Sequence, residues 1–193
     1  QQATRRFVEA RHAVSQTRNL ADAGETMAGQ AWADCAAQGW IGLFVPEEHG
    51  GMAGEAEGVI DAAIVAEELG RQGYAGPFAS NAVAAFAIAH SGSAGQKAQY
   101  LPGLASGDLT ATSCFAGTGA SDGLAPTGLT ATRSSDGYRI DGAAGFVENA
   151  AQAGLFVATA RDGEALSQFL VAAEHPGVTI EPLRALDLGR SLA

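Results

Sequence analysis

The chain has 193 residues, 47% of them apolar and 17% charged, a balance that forms a core and excludes an intrinsically disordered polymer. The length suits one good-sized domain or two small ones. Eleven Lys and Arg against 21 Asp and Glu leave a formal charge of −10. That charge argues against a nucleic-acid-binding face and against docking on an anionic membrane, since both need clustered cations.

In chain order, the first hundred or so residues have the grammar of helices. Thr4 to Asp22 is polar, with Phe7, Val8, Val14 and Leu20 giving a weak amphipathic pattern. From Gly29 to Gln38, Trp32, Cys35 and Ala36 fall at i, i+3 and i+4 on one helix face, and Gly39 supplies the stop. Val59, Ala62, Ala63, Ala66 and Leu69 form an apolar stripe ended by Gly70 and Gly73. Asn81 suits the N-cap of an Ala-rich helix through Val83, Phe86 and Ile88. Ser93 followed by Gln96 fits a capping box opening a short helix, with Pro102 as its stop. No sustained heptad occurs, which argues against a coiled coil.

Around Gly107 the pattern changes. Leu109 to Phe115 is β-rich, Leu129 to Arg133 alternates, and the turn before Tyr138 makes 129–141 a hairpin. Short strands are expected at Gly154–Ala160, Gln168–Ala172 and Val178–Glu181, separated by Asp162-Gly163 and His175-Pro176-Gly177. Strands with turn signals and no intervening helix point to a small antiparallel sheet or barrel. The expected fold class is therefore α+β, with an all-α domain at 1–108 followed by a β-domain at 109–193.

No signal peptide is visible in the polar start from Gln1 to Phe7. The longest purely apolar run, Ala82 to Ala89, falls far short of the ~20 residues that span a bilayer. A cytoplasmic protein with no membrane segment is expected. The missing initiator Met and the ending at Ala193 suggest a piece of a longer product. Cys35 and Cys114 lie in no CxxC or Cys/His cluster and are expected as reduced, buried thiols. His12, His49, His90 and His175 show no metal-ligand spacing, so no metal is expected.

Gly117 to Asp122 contains GxG without the third glycine or the helix of a dinucleotide-binding turn. Small residues there still let backbone N–H groups approach an anion, and Ser121 offers a hydroxyl; an ordinary strand connection fits as well. The carboxylates of Glu47-Glu48, Glu67-Glu68, Glu55 and Glu57 suit solvated faces and turns. Glu148 differs, because it sits in the small, apolar stretch Gly145 to Asn149, where a carboxylate needs a partner or a role.

An ordered series of motifs carries a likeness. Ala36 to Gly51 reads AAQGWIGLFVPEEHGG, which resembles the helix–turn segment LGxxGxxxPEEYGG of the acyl-CoA dehydrogenase superfamily. The likeness continues through VAEELGR at Val65, GQK at Gly95, YLPGLASGD at Tyr100, DGYRIDG at Asp136 and PGVTIEP at Pro176. The resemblance implies an N-terminal helical domain, a middle β-domain and a C-terminal helical bundle, of which this chain holds the first and an incomplete second. It implies FAD between the middle and C-terminal domains, an acyl-CoA substrate, and a homo- or heterotetramer with a homologous subunit. The catalytic carboxylate, which removes the acyl α-proton, is implied in the C-terminal domain, outside these residues.

The cofactor motifs depart from the family. Its TEPxAGSD element is matched by Phe115 to Asp122, which keeps Ser121 and Asp122 but puts Phe115 in place of Thr. Its WITN element becomes Phe146-Val-Glu-Asn149, so Phe146 keeps an aromatic wall while Glu148 replaces a small hydroxyl. The resemblance thus implies Phe115, Ser121, Phe146 and Glu148 as flavin-site residues of a degenerate site. Three functions follow: an FAD-dependent acyl-CoA desaturase subunit, including as the degenerate chain of a heteromer of the kind that acts on steroid-derived acyl-CoAs; a flavin monooxygenase or oxidase; or a flavin-free scaffold.

Overall fold

The computed structural model describes residues 1–12, 14–23, 25, 27, 29–53, 58–117 and 127–193. Six helices come first: α1 (Gln2–Arg11), α2 (Val14–Asp22), α3 (Gly29–Ala37), α4 (Val59–Arg71), α5 (Phe78–Ser91) and α6 (Ala94–Ser106). The polar stretch expected as one weak pattern breaks at His12, whose φ of −132° ends α1. Gly39 ends α3 with a left-handed φ of 73°. Val8, Trp32, Cys35, Ile41, Val65, Leu69 and Phe78 then close a core among α1, α3 and α4. No described helix is long and apolar enough to cross a membrane.

Three helical expectations are corrected. Asn81 is not an N-cap: α5 begins at Phe78 after Pro77, and Asn81 is fully buried inside it. Pro102 does not stop α6, which continues to Ser106 and ends on Gly107 at φ 82°. Burial of Leu101 and Leu104 outweighs the one helical hydrogen bond the proline cannot donate. The Ser93–Gln96 capping box is present in both halves.

Glu68 is the third. It is 1% exposed rather than solvated, and it accepts from Arg5 Nε at 3.0 Å and Nη2 at 2.9 Å, with Arg71 Nε 3.3 Å away. The Arg5 hydrogen bonds hold its carboxyl below the ordinary value of 4.5. A folded-state pKa below the unfolded one gives stability that is complete above about pH 4.5 and is lost as pH falls through the folded value. Glu68→Gln should therefore lower the Tm by several degrees at neutral pH. The gap to wild type should close in melts recorded well below pH 4.5; a gap that stays constant would contradict this.

The sheet contains β1 (Ala111–Cys114), β2 (Leu129–Ser134), β3 (Gly137–Gly142), β4 (Leu155–Asp162) and β5 (Ala165–Ala172). The hairpin is β2–β3, with Ser134 opposite Gly137. The α+β class holds, but the sheet is mixed rather than antiparallel. β1 runs parallel to β4 from Ala111↔Leu155 to Cys114↔Ala158, and β2 meets the far end of β4 in parallel at Thr130↔Arg161. The β2–β3 hairpin intervenes between β1 and β4, so the chain re-enters in its original direction. Pairing direction is a long-range property that strand composition does not carry. Val178–Glu181 forms no strand.

β4 is buried on both faces, with the two-residue alternation of a central strand. Leu155 and Val157 join Ile88, Leu101, Leu104 and Ala111 in a core under α5 and α6. Phe156, Ala158 and Ala160 face the other way, onto Cys114, Leu129, Ala131 and Val147. The helices and the sheet thus share one core, which fixes α5 against the segments described next. Cys35 and Cys114 are free and buried, and burial pushes both thiols up to about 11, away from nucleophilic use at neutral pH.

Candidate functional site

Two segments flanking the sheet cross side by side. Gly145 N–H donates to Ala116 O at 3.0 Å, and Gly117 pairs antiparallel with Ala144. Phe115 and Phe146 are the next residues along the two segments, beyond Ala116 and Gly145. The close approach needs Gly128, where a Cβ would lie 2.2 Å from Ala143 O and 3.2 Å from Gly117 Cα. Phe115 is 57% exposed and Phe146 59%. Two large apolar rings therefore stand in solvent on segments joined by a hydrogen bond. Phe146 also has φ 57°, a left-handed conformation unusual for a bulky residue and costly unless its surroundings enforce it.

The enforcement comes from a short ladder. Val147 N–H donates to Ala193 O at 2.7 Å, Ala193 N–H returns to Val147 O at 3.1 Å, and Asn149 N–H donates to Ser191 O at 2.7 Å. Val147 points into the core below, so Phe146 and Glu148 point away from it. Asn149, also left-handed at φ 53°, donates from Nδ2 to Ser80 Oγ at 3.2 Å, and Ser80 Oγ donates to Pro77 O at 3.1 Å. The segment is thus tied to the start of α5.

Glu148 is half-exposed and pairs with Arg190 Nη2 at 3.3 Å; Arg190 Nε lies 3.9 Å from Asp187. The carboxylate that lacked a partner in the sequence has one 42 positions on. All three line a cleft of about 610 Å³, closed by Thr17 and Arg18 of α2, by Gly73 and Tyr74 between α4 and α5, and by Asn149. This volume lies in the range of small-molecule sites, with apolar and small walls and a few placed charges.

Of the four flavin-site residues expected, Phe115 and Phe146 are exposed on segments joined by the Gly145–Ala116 hydrogen bond, Glu148 faces the cleft, and Ser121 lies outside the described residues, as do Asp122, Glu55 and Glu57. Arg190, Asn149 and Ser80 were not singled out in the sequence; nothing in an isolated Gly-Arg-Ser marks a counter-ion for a distant glutamate. Among the described residues no three His, Cys, Asp or Glu side chains cluster as a metal site.

Residues 1–108 match the family model described as acyl-CoA dehydrogenase, N-terminal domain. A probable acyl-CoA dehydrogenase of Bacillus subtilis is 35% identical over 152 residues, covering 75% of this chain and 25% of that protein. The structure of a Tcur3481–Tcur3483 steroid ACAD variant superposes with a TM-score of 0.87 at 27% identity, covering 98% of this chain and 51% of that one. The ChsE4–ChsE5 complex from Mycobacterium tuberculosis gives a TM-score of 0.86 at 26% identity, over 98% of this chain and 50% of that one. The chain therefore spans a quarter to a half of the proteins it resembles.

Proposed function

Because the chain belongs to the acyl-CoA dehydrogenase family, we propose that it forms one wall of an FAD site and of the adjoining acyl-CoA cleft, in an enzyme that desaturates acyl-CoA thioesters with a homologous subunit. The observation that carries this reading is the two exposed aromatic rings, Phe115 and Phe146, on hydrogen-bonded segments, with Phe146 two residues from Glu148 on the wall of a cleft of about 610 Å³. A planar aromatic group fits such a wall, since stacking covers apolar area that the fold leaves in water. FAD, when bound, would accept the hydride lost from the acyl β-carbon.

The chain's own residues position and exclude. Phe115 and Phe146 shed water from the ring face. The ladder to Ser191 and Ala193, with the Asn149–Ser80 hydrogen bond, holds Phe146 in its left-handed conformation. Glu148 and Asp187 both face Arg190, at 3.3 and 3.9 Å. Similarity to a steroid ACAD and to a two-chain complex supports a bulky acyl group and a heteromeric partner.

An FAD titration followed by flavin fluorescence tests the site. Wild type should saturate, and Phe146→Ala, which removes an exposed ring without touching the core, should weaken binding about tenfold, the worth of one stacked aromatic. Equal affinity for both proteins would remove Phe146 from the site.

A further inference from the structure

The ion pair between Glu148 and Arg190 lies on the wall of the cleft, with Asp187 on the other side of the guanidinium. We propose that Arg190 is the built-in counter-ion of the flavin site, cancelling the negative charge that Glu148 brings to it. The inference rests on the FAD reading above and goes beyond it to a residue with no assigned role.

The register of the 147–149 and 191–193 ladder makes the pair. Glu148 stands opposite Leu192, and Arg190 lies two residues back on the same face, the diagonal cross-strand position within reach of a long side chain. Its Nη2 reaches Glu148 at 3.3 Å, while Asp187 at 3.9 Å from Nε restrains the guanidinium on the other side. Among the described residues of the cleft wall, the acids are Glu148 and Asp187 and the cations Arg18 and Arg190. These four balance with Arg190 present; without it they carry a net negative charge two residues from Phe146.

Negative charge beside a ring that gains electrons disfavours its reduced form, and positive charge favours it. Two opposite shifts follow. Arg190→Ala should weaken FAD affinity about tenfold, because it leaves the Glu148 charge uncancelled beside an anionic cofactor, and move the flavin midpoint potential negative. Glu148→Gln should leave affinity at or above wild type and move the potential positive. The Glu148→Gln/Arg190→Ala double variant should return near wild type in both measures, and Arg190→Lys should keep most of the affinity.

The experiment is an FAD titration and a dye-coupled potential measurement on the full FAD-loaded protein and these four variants, with circular dichroism to confirm folding. A loss of structure alone would not move the potential in opposite directions, and Arg190→Lys keeps the test open if the alanine variant unfolds. Opposite shifts with recovery in the double variant support the counter-ion role. An Arg190→Ala protein that binds FAD at wild-type affinity and potential, or a double variant no better than Arg190→Ala, overturns it. A wild type that binds no FAD is a different result, because it overturns the flavin reading and the counter-ion role with it.

Discussion

Gly51→Ala is expected to lower the Tm by roughly 10 °C, equivalent to about 3 kcal/mol of overpacking in a chain of this size. A Cβ at position 51 would sit 1.9 Å from Val45 O and 2.5 Å from both Val45 C and Cβ. Those are largely backbone atoms, so no side-chain rotation relieves the clash. The turn cannot move freely either. Met52 N–H donates to Gly42 O at 2.8 Å and Ala53 N–H to Val45 O at 2.9 Å, folding the segment back over Val45, which is fully buried. Gly70→Ala is the matched control, since its Cβ meets nothing within 4 Å in α4, and it should be neutral or slightly stabilising. Thermal melts of the two variants check this. Equal Tm values would contradict the packing argument.

The second large effect is expected at Asn81. Its Oδ1 accepts from Ala111 N–H at 3.0 Å, and its Nδ2 donates to Leu104 O at 3.4 Å. One side chain thereby satisfies a carbonyl at the open end of α6 and the first amide of β1. Asn81→Ala strands both groups in the core, each costing about 1–3 kcal/mol, so a total near 3 kcal/mol is expected in urea unfolding. Faster hydrogen exchange at the Ala111 amide should accompany the loss. A small change in stability with Ala111 still protected would mean that other groups satisfy that end of β1.

Asn81 also shows where sequence reasoning stops. Asn is a favoured N-cap, and nothing local separates a cap from a buried clamp whose partners lie 23 and 30 positions downstream. Features set by near neighbours are legible: the Ser93–Gln96 box, the stop at Gly39 and the β2–β3 hairpin. The expected α4 stripe is not: Val59, Ala63 and Ala66 are exposed, and α4 buries Ala62, Val65, Glu68 and Leu69. Nor are features set across the fold. The parallel return of β4, the burial of Glu68 beneath Arg5, and the continuation of α6 through Pro102 all depend on packing that no window of ten residues contains.

The site divides in the same way. A motif likeness points to Phe115 and Phe146, and the fold adds a hydrogen bond between their neighbours Ala116 and Gly145. Glu148 stood out as a carboxylate in apolar company. Its partner was invisible, because the 147–149 and 191–193 ladder that brings in Arg190 comprises only a few residues and has no strand-like composition. Asn149 carries a further signal in retrospect, since asparagine tolerates the left-handed backbone it adopts.

The most direct test of the account is the visible absorption spectrum of the protein purified alone and again with a homologous acyl-CoA dehydrogenase subunit. A flavin band is expected in the complex, diminished by Phe146→Ala. No flavin band in either preparation would contradict it and leave the chain a scaffold.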